Sequence, residues 1–207
     1  LALSLGAIFA VFSVAAITWT QSQSQDQALE MSDHTAALAL EFDLAIRQYV
    51  EKQMHPRIEG LVGPDVFIPE TMSSIFVARS IFDKVREKFP DTIIRFSSDN
   101  PCNPANLAGP EELKVIERFN RDPNLDRWNG EILIGDKRYR ACFYAERTKE
   151  ACLQCHVRPE DAPASLRQRY GETAGFHRPL GEVIGLDTVA IPMDRVDASI
   201  RTQLVRQ

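Results

Sequence analysis

Hydrophobic and polar positions divide the chain into blocks of different period. From Leu1 to Thr20 no position is charged, and aliphatic and small side chains run as far as Trp19. About twenty apolar residues can span a bilayer as a helix, and Trp favours the headgroup level. A cleaved secretory signal would have a shorter apolar stretch and a small-x-small site, of which Ser13-Val14-Ala15 and Ala16 carry only a trace, so the run reads as a retained anchor. Gln21 to Gln25 reads as a polar joint. Asp26 to about Gln53 then lacks glycine and proline and is rich in helix formers, with Leu29, Ala36, Leu40, Leu44 and Tyr49 beside Ala37, Phe42 and Ile46 making a wide apolar stripe. This long helix is expected to end near His55, because Pro56 disfavours the α conformation before it. Gly60 to Pro69 reads as a loop.

Further on, the period alternates. Glu70 to Lys88 has Ile75, Phe76, Arg79, Phe82, Val85 and Phe89 at helical spacing, with Pro90 as the stop. Thr92 to Ser97 is a short β-type run, Asp99 to Pro110 a turn-rich loop, and Glu111 to Asn120 an amphipathic helix. Gly130 to Ile134 and Arg138 to Glu146 flank Gly135-Asp136 as a hairpin. Ala164 to Tyr170 reads as a helical turn or two, Glu182 to Ile191 as a strand and Asp194 to Val205 as a closing helix. The order predicts an α+β fold in which an antiparallel sheet carries helices on one face. The expected division is an anchor over 1–20, a connecting helix over 21–58, a domain over 59–195 and a terminal helix over 196–207.

Composition narrows the function. The 207 residues carry a net charge of −5 with scattered basic positions, which excludes a nucleic-acid patch. Four cysteines are too few for a disulfide framework. Paired carboxylates, a catalytic triad and a phosphate loop are not recognisable, so the chain reads as a non-enzyme.

The chemistry concentrates in Cys152-Leu153-Gln154-Cys155-His156, a C-x-x-C-H run that chance would produce about once in a thousand chains of this length. This is the attachment signature of a c-type haem: each thiol adds across a vinyl group and the imidazole reaches the iron. A thioredoxin-like pair would need a βαβ unit and a zinc site a second ligand pair; neither is evident. One covalent haem c is therefore expected, held by Cys152 and Cys155 with His156 as proximal iron ligand. For the sixth ligand His55 ranks first, at the end of the long helix, followed by His177 and Met54; Met31 and Met72 are further thioethers, and an open site remains an alternative. Arg140, Arg147 and Arg158 flank the motif and could pair with haem propionates or with solvent. Asn103 and Asn106 suit a turn, and Gly181 and Gly185 a tight strand entry or close haem approach. Cys102 and Cys142 lie in a compartment where disulfides persist, and a bridge between them is expected, slightly ahead of two unrelated thiols.

Beyond single motifs, Gln48-Tyr49 with Pro56, Phe67-Ile68-Pro69-Glu70, Asn103-Pro104-Ala105-Asn106, the haem motif, Ala162-Pro163 before Tyr170-Gly171, Gly175-Phe176, Gly181-Glu182-Val183-Ile184-Gly185 and Ile191-Pro192-Met193 form an ordered series. Over roughly residues 26–195 it resembles the haem-c variant of PAS-like sensor domains. The resemblance implies a PAS-like antiparallel sheet with a long N-terminal helix, preceded by one transmembrane helix, and usually a second span and an output module beyond it. Cysteines at 102 and 142 depart from that pattern. The reading that results is a membrane-anchored single-haem domain on the periplasmic side of a bacterial inner membrane, sensing redox state or a small ligand. The alternative is an electron-transfer cytochrome, which holds if no output module follows Gln207. Expected partners are the membrane, crossed by a single span, and either a second copy or a membrane-protein complex.

Overall fold

In the computed structural model, residues 2–206 are described, and with them all side chains except those of 2–5, 7, 8, 154, 199 and 201–206. Helix α1 runs unbroken over Ala2–Tyr49. The joint expected at Gln21 to Gln25 does not interrupt it, because Gln and Ser there leave every backbone donor in place and neither glycine nor proline intervenes. The anchor expectation falls partly on side chains outside the described residues. Among the described residues no helix is long and apolar enough to cross a membrane.

The helix also does not end before Pro56. It passes through a π-turn, Val50–Met54, into α2, His55–Val62, and His55 is itself α-helical at φ −52° and ψ −54°. The wide turn lets the His55 N–H bond to the Val50 carbonyl, five residues back. It thereby accommodates a proline that can neither donate nor tolerate the carbonyl four residues before it.

The expected helix from Glu70 is two: α3, Pro69–Met72, and α4, Ser74–Arg86. Ser73 separates them in extended conformation and caps α4, its hydroxyl accepting from the Phe76 N–H at 3.2 Å. Then follow β1, Ile93–Ser97; α5, Pro110–Arg121; β2, Arg127–Ile134; β3, Lys137–Arg147; α6, Glu150–His156; α7, Ala164–Tyr170; β4, Val183–Pro192; and α8, Met193–Arg206. Gly135, at φ +60°, takes the first central position of the two-residue β2–β3 turn, which pairs Ile134 with Lys137.

The sheet is antiparallel in the order β1-β4-β3-β2. Its faces are both covered, not one. Tyr139, Ala141, Phe143 and Ala145 of β3 meet Val115, Ile116 and Phe119 of α5. Cys142 of β3 and Val189 of β4, on the opposite face, meet Ala36 and Leu40 of α1 and Phe82 of α4. The period-2 alternation of strands distributes these residues. Helix α8 packs against α1, with Met193 and Val196 against Ala28.

Candidate functional site

The C-x-x-C-H residues lie on α6, a seven-residue helix directly after β3. Because β3 and β4 pair antiparallel, the motif is not part of a βαβ unit. Helical spacing presents Cys152 and Cys155, at i and i+3, to one side, with His156 next to the second. Among the described residues no group of three or more His, Cys, Asp or Glu is arranged to hold a bare metal ion.

His156 is oriented by the loop that follows α7. Its Nδ1 lies 2.6 Å from the Gly175 carbonyl, and the backbone N–H groups of His177 and Arg178 bond the Val157 and His156 carbonyls at 2.8 and 3.3 Å. Burial depresses the basicity of His156, against a smaller opposing effect of the Gly175 carbonyl. A neutral ring that donates Nδ1–H to a carbonyl keeps the Nε2 lone pair for a ligand, the usual arrangement behind a metal-bound histidine. Gly175 is required here: at φ +83°, a Cβ on it would sit 2.1 Å from Cys102 Sγ.

Cys102 occupies that loop contact. Its Sγ is 3.9 Å from His156 Nδ1 and 3.4 Å from the Ala174 carbonyl. Cys142 is buried in the α1 face of the sheet, and both are free thiols, so the expected bridge between them is not formed. The alternation of β3 turns Cys142 toward α1, whereas Cys102 belongs to the His156 loop cluster. Pairing Cys102 with Cys142 left it out of the expected site; its neighbour Asn103-Pro104 is the one local signal, since Asn103 Oδ1 accepts from the Ala105 N–H at 3.1 Å and sets the turn.

Beside His156 lies a cavity of about 130 Å³, lined among others by Phe67, Phe76, Phe96, Cys102 and Tyr170. It is well below the roughly 300 Å³ at which pockets engulf a ligand of drug size, so a ring as large as haem could lie against it but not inside it. Phe67 joins Phe176, Leu166, Cys155 and Tyr170 in one apolar cluster, and the ring of His55 meets Phe67 edge-on at 6.2 Å. His55 on α2 and the motif on α6 thus flank the same aromatic ring. Burial, with Glu59 of α2 next in effect, pushes the Cys155 thiol up to about 11.

The other ligand candidates are placed differently. His177 is exposed at φ +60° in the loop that backs the Nδ1 side of His156. Met54 lies half-buried in the π-turn. The Met72 sulfur accepts from the Ile68 N–H at 3.3 Å, and Met31 is exposed on α1, twenty-four residues before His55. Arg140 pairs with Asp33 at 2.6 and 2.7 Å, and Arg158 with Asp161 at 2.8 and 3.0 Å. Arg147 donates to the Phe119 carbonyl in the last turn of α5 and to the Asp122 and Leu125 carbonyls beyond it. All three are engaged within the protein. The close approach at Gly185 is to Phe96 and the Ser97 carbonyl of β1.

A second polar centre escaped the sequence reading. Arg47 of α1 is buried and donates to Glu146 of β3 at 3.1 Å and to Asp187 of β4, while Lys149, just before α6, bonds the other oxygen of Glu146 at 3.0 Å. Burial raises Asp187 to about 7, Arg47 opposing and Asp43 and Glu146 adding. Asp43, one turn before Arg47, is raised by the same burial. With both carboxyls ionised Asp187 Oδ1 has no donor; a proton held between Asp43 and Asp187 supplies one. The cluster sits between the sheet, the π-turn and the start of the motif helix.

Residues 23–192 match the Tll0287-like family. Among solved structures, the crystal structure of the cyanobacterial haem protein Tll0287 aligns with a TM-score of 0.60 at 14% identity, covering 77% of this chain and 93% of that one. At that identity the likeness is one of fold. No curated protein matches the chain.

Proposed function

The chain belongs to the Tll0287-like family, and from that premise we propose that it is a haem protein carrying one covalent haem c. Cys152 and Cys155 hold the group by thioethers, His156 is the proximal ligand and His55 the distal one. The observation that carries this reading is the 2.6 Å contact of His156 Nδ1 with the Gly175 carbonyl, which leaves Nε2 free on the helix that presents both thiols. When bound, the haem would supply a one-electron iron couple. The chain's own residues do the rest: Gly175 fixes the imidazole, and Phe67 and Phe176 keep water from one side. The π-turn sets where α2 presents His55, in keeping with the frequent use of π-bulges at functional sites.

The domain acts as an extracytoplasmic sensor of redox state or of a small ligand, anchored to a bacterial inner membrane by residues 1–20. What supports the anchor is the charge-free sequence of that segment and the exposure of Phe9, Phe12, Ile17 and Trp19 at the far end of α1. What supports sensing over simple electron transfer is continuity: His55 is joined through the π-turn to a 48-residue helix, so a change of ligation can move α1.

The covalent reading is tested by denaturing the protein and extracting with acidified organic solvent. The colour should stay with the polypeptide, and Cys152→Ala or Cys155→Ala should yield poorly loaded protein; haem that extracts freely refutes attachment. A His55→Ala spectrum identical to the parent, or a sulfur-to-iron charge-transfer band in the parent, refutes His55.

A further inference from the structure

The long helix carries a second apolar face that the fold does not use. On α1, Ala28, Ala36 and Leu40 are buried against the sheet, α4 and α8. On the outside Met31, Leu38, Phe42 and Tyr49 are 68%, 52%, 60% and 60% exposed. With exposed Thr35 and Ala45 they recur at alternating steps of four and three, Met31-Thr35-Leu38-Phe42-Ala45-Tyr49. That is the a/d seam of a two-stranded coiled coil, continued over about 27 Å of helix at 1.5 Å per residue.

We propose that this seam is the interface of a parallel homodimer, in which α1 of one copy pairs in register with α1 of the next. The membrane cannot cover it: about twenty residues span a bilayer, and the seam begins eleven residues, or roughly 16 Å, beyond Thr20. A second copy fits in area. Phe42 and Tyr49 leave on the order of 250 Å² open, and the whole seam about 500 Å², so two copies reach the roughly 1,000 Å² of a specific interface. Charge is compatible with the parallel orientation, in which Glu41 keeps its own partner Arg127 at 2.6 Å. In parallel register Glu41 flanks Ile46 of the other copy and His34 flanks Ala39, with no like charges opposed. An antiparallel pair aligned on the same seam would bring Glu41 against Glu41. The parallel arrangement also places both apolar N-terminal segments at one end, a point that rests on the proposed anchor, whereas the seam itself does not.

The experiment uses the full haem-loaded chain in density-matched detergent, with sedimentation equilibrium reading protein mass and oxidative cross-linking reading register. The parent should sediment at twice the chain mass. Leu38→Glu combined with Phe42→Glu should halve that mass while the far-UV CD melt of the domain is kept. Met31→Cys and Tyr49→Cys should each cross-link to themselves, at least tenfold faster than Glu30→Cys on an exposed position off the seam. These cross-links decide the matter even if the double variant fails to fold. A parent of single-chain mass overturns the proposal and assigns the seam to a different protein; preferential Met31→Cys to Tyr49→Cys cross-linking in a mixture overturns the parallel register. Neither outcome depends on how the haem is ligated, and a chain that dimerises without detergent would count against the anchor alone.

Discussion

The two faces of α1 invert the usual amphipathic plan. Its inner face buries Asp43 and Arg47 along with Ala36 and Leu40, while its outer face exposes Met31, Leu38, Phe42 and Tyr49. A surface helix normally turns its large apolar side chains inward and its charges outward. Here the inner charges find partners on β3 and β4, so their burial is compensated by Glu146 and Asp187 at specific positions. The difference teaches that the inner face fixes the helix at one rotation and height on the sheet, whereas the outer face stores apolar surface that the single chain leaves uncovered.

The largest effect should come from breaking the inner face. Arg47→Met leaves Asp43, Glu146 and Asp187 facing one another without their buried cation and should cost about 3–5 kcal/mol in denaturant unfolding. Leu40→Ala, on the same face but apolar, should cost roughly 2–5 kcal/mol through the cavity it leaves. The two differ in pH response. Leu40→Ala should lose the same amount across the range, while the loss from Arg47→Met should grow as the carboxyls ionise. Equal losses at acid and neutral pH would remove the electrostatic account of the inner face.

A smaller effect is the pH dependence of the unsubstituted protein. Burial lets the folded state hold the Asp187 proton up to about 7, against 3.8 for an ordinary aspartate in the unfolded chain. Between those values the folded state binds more protons than the unfolded one, so stability falls as pH rises through this window. The contribution is complete below the lower value and lost above the upper. Asp187→Asn should flatten that slope, because the amide needs no proton to face Asp43. A slope unchanged in Asp187→Asn would show that the pair shares no proton.

Smaller again is the positioning of the motif. Gly175→Ala forces a left-handed conformation at φ +83° that costs about 1–2 kcal/mol for an L side chain, and its methyl meets Cys102 Sγ. Combined with Cys102→Ala, the penalty should shrink but not vanish, since the Cys102 backbone nitrogen remains 3.0 Å from the new Cβ. Additive losses in the double variant would mean that the sulfur is not what Gly175 accommodates.

Much of the sheet was legible because its boundaries are local. Gly135-Asp136 announces the β2–β3 turn, Pro110 opens α5 at its first position, and Pro90 precedes β1. The C-x-x-C-H run was legible as a motif because its five residues are contiguous in the chain. What stayed hidden depends on tertiary partners. Pro56 reads as a helix end, and only the π-turn shows how the helix continues past it. The apolar stripe on α1 was too wide for one contact, yet nothing local says that Phe42 and Tyr49 face out while Asp43 and Arg47 face in. The same holds for Cys102, fifty-four residues from the His156 it approaches, and for the second covered face of the sheet.

The smallest effect on the fold should come from the outer face of α1. Phe42 is 60% exposed and its ring leaves the inner core untouched, so Phe42→Gln should change the stability of the single chain by no more than about 0.5 kcal/mol. That holds at dilution, where copies are separate. At concentrations above the dissociation constant of a dimer, association stabilises the folded state by mass action and makes the melting temperature rise with protein concentration. Phe42→Gln removes one of the two aromatic side chains of the seam, so it should abolish most of that concentration dependence while leaving the dilute value in place. Leu40→Ala, two positions away but turned inward, should do the reverse: a large loss at every concentration with the dependence retained. Thermal melts over a hundredfold range of concentration separate the faces. If Phe42→Gln instead destabilises the dilute protein by as much as Leu40→Ala, the outer ring belongs to the core and the helix has only one working face.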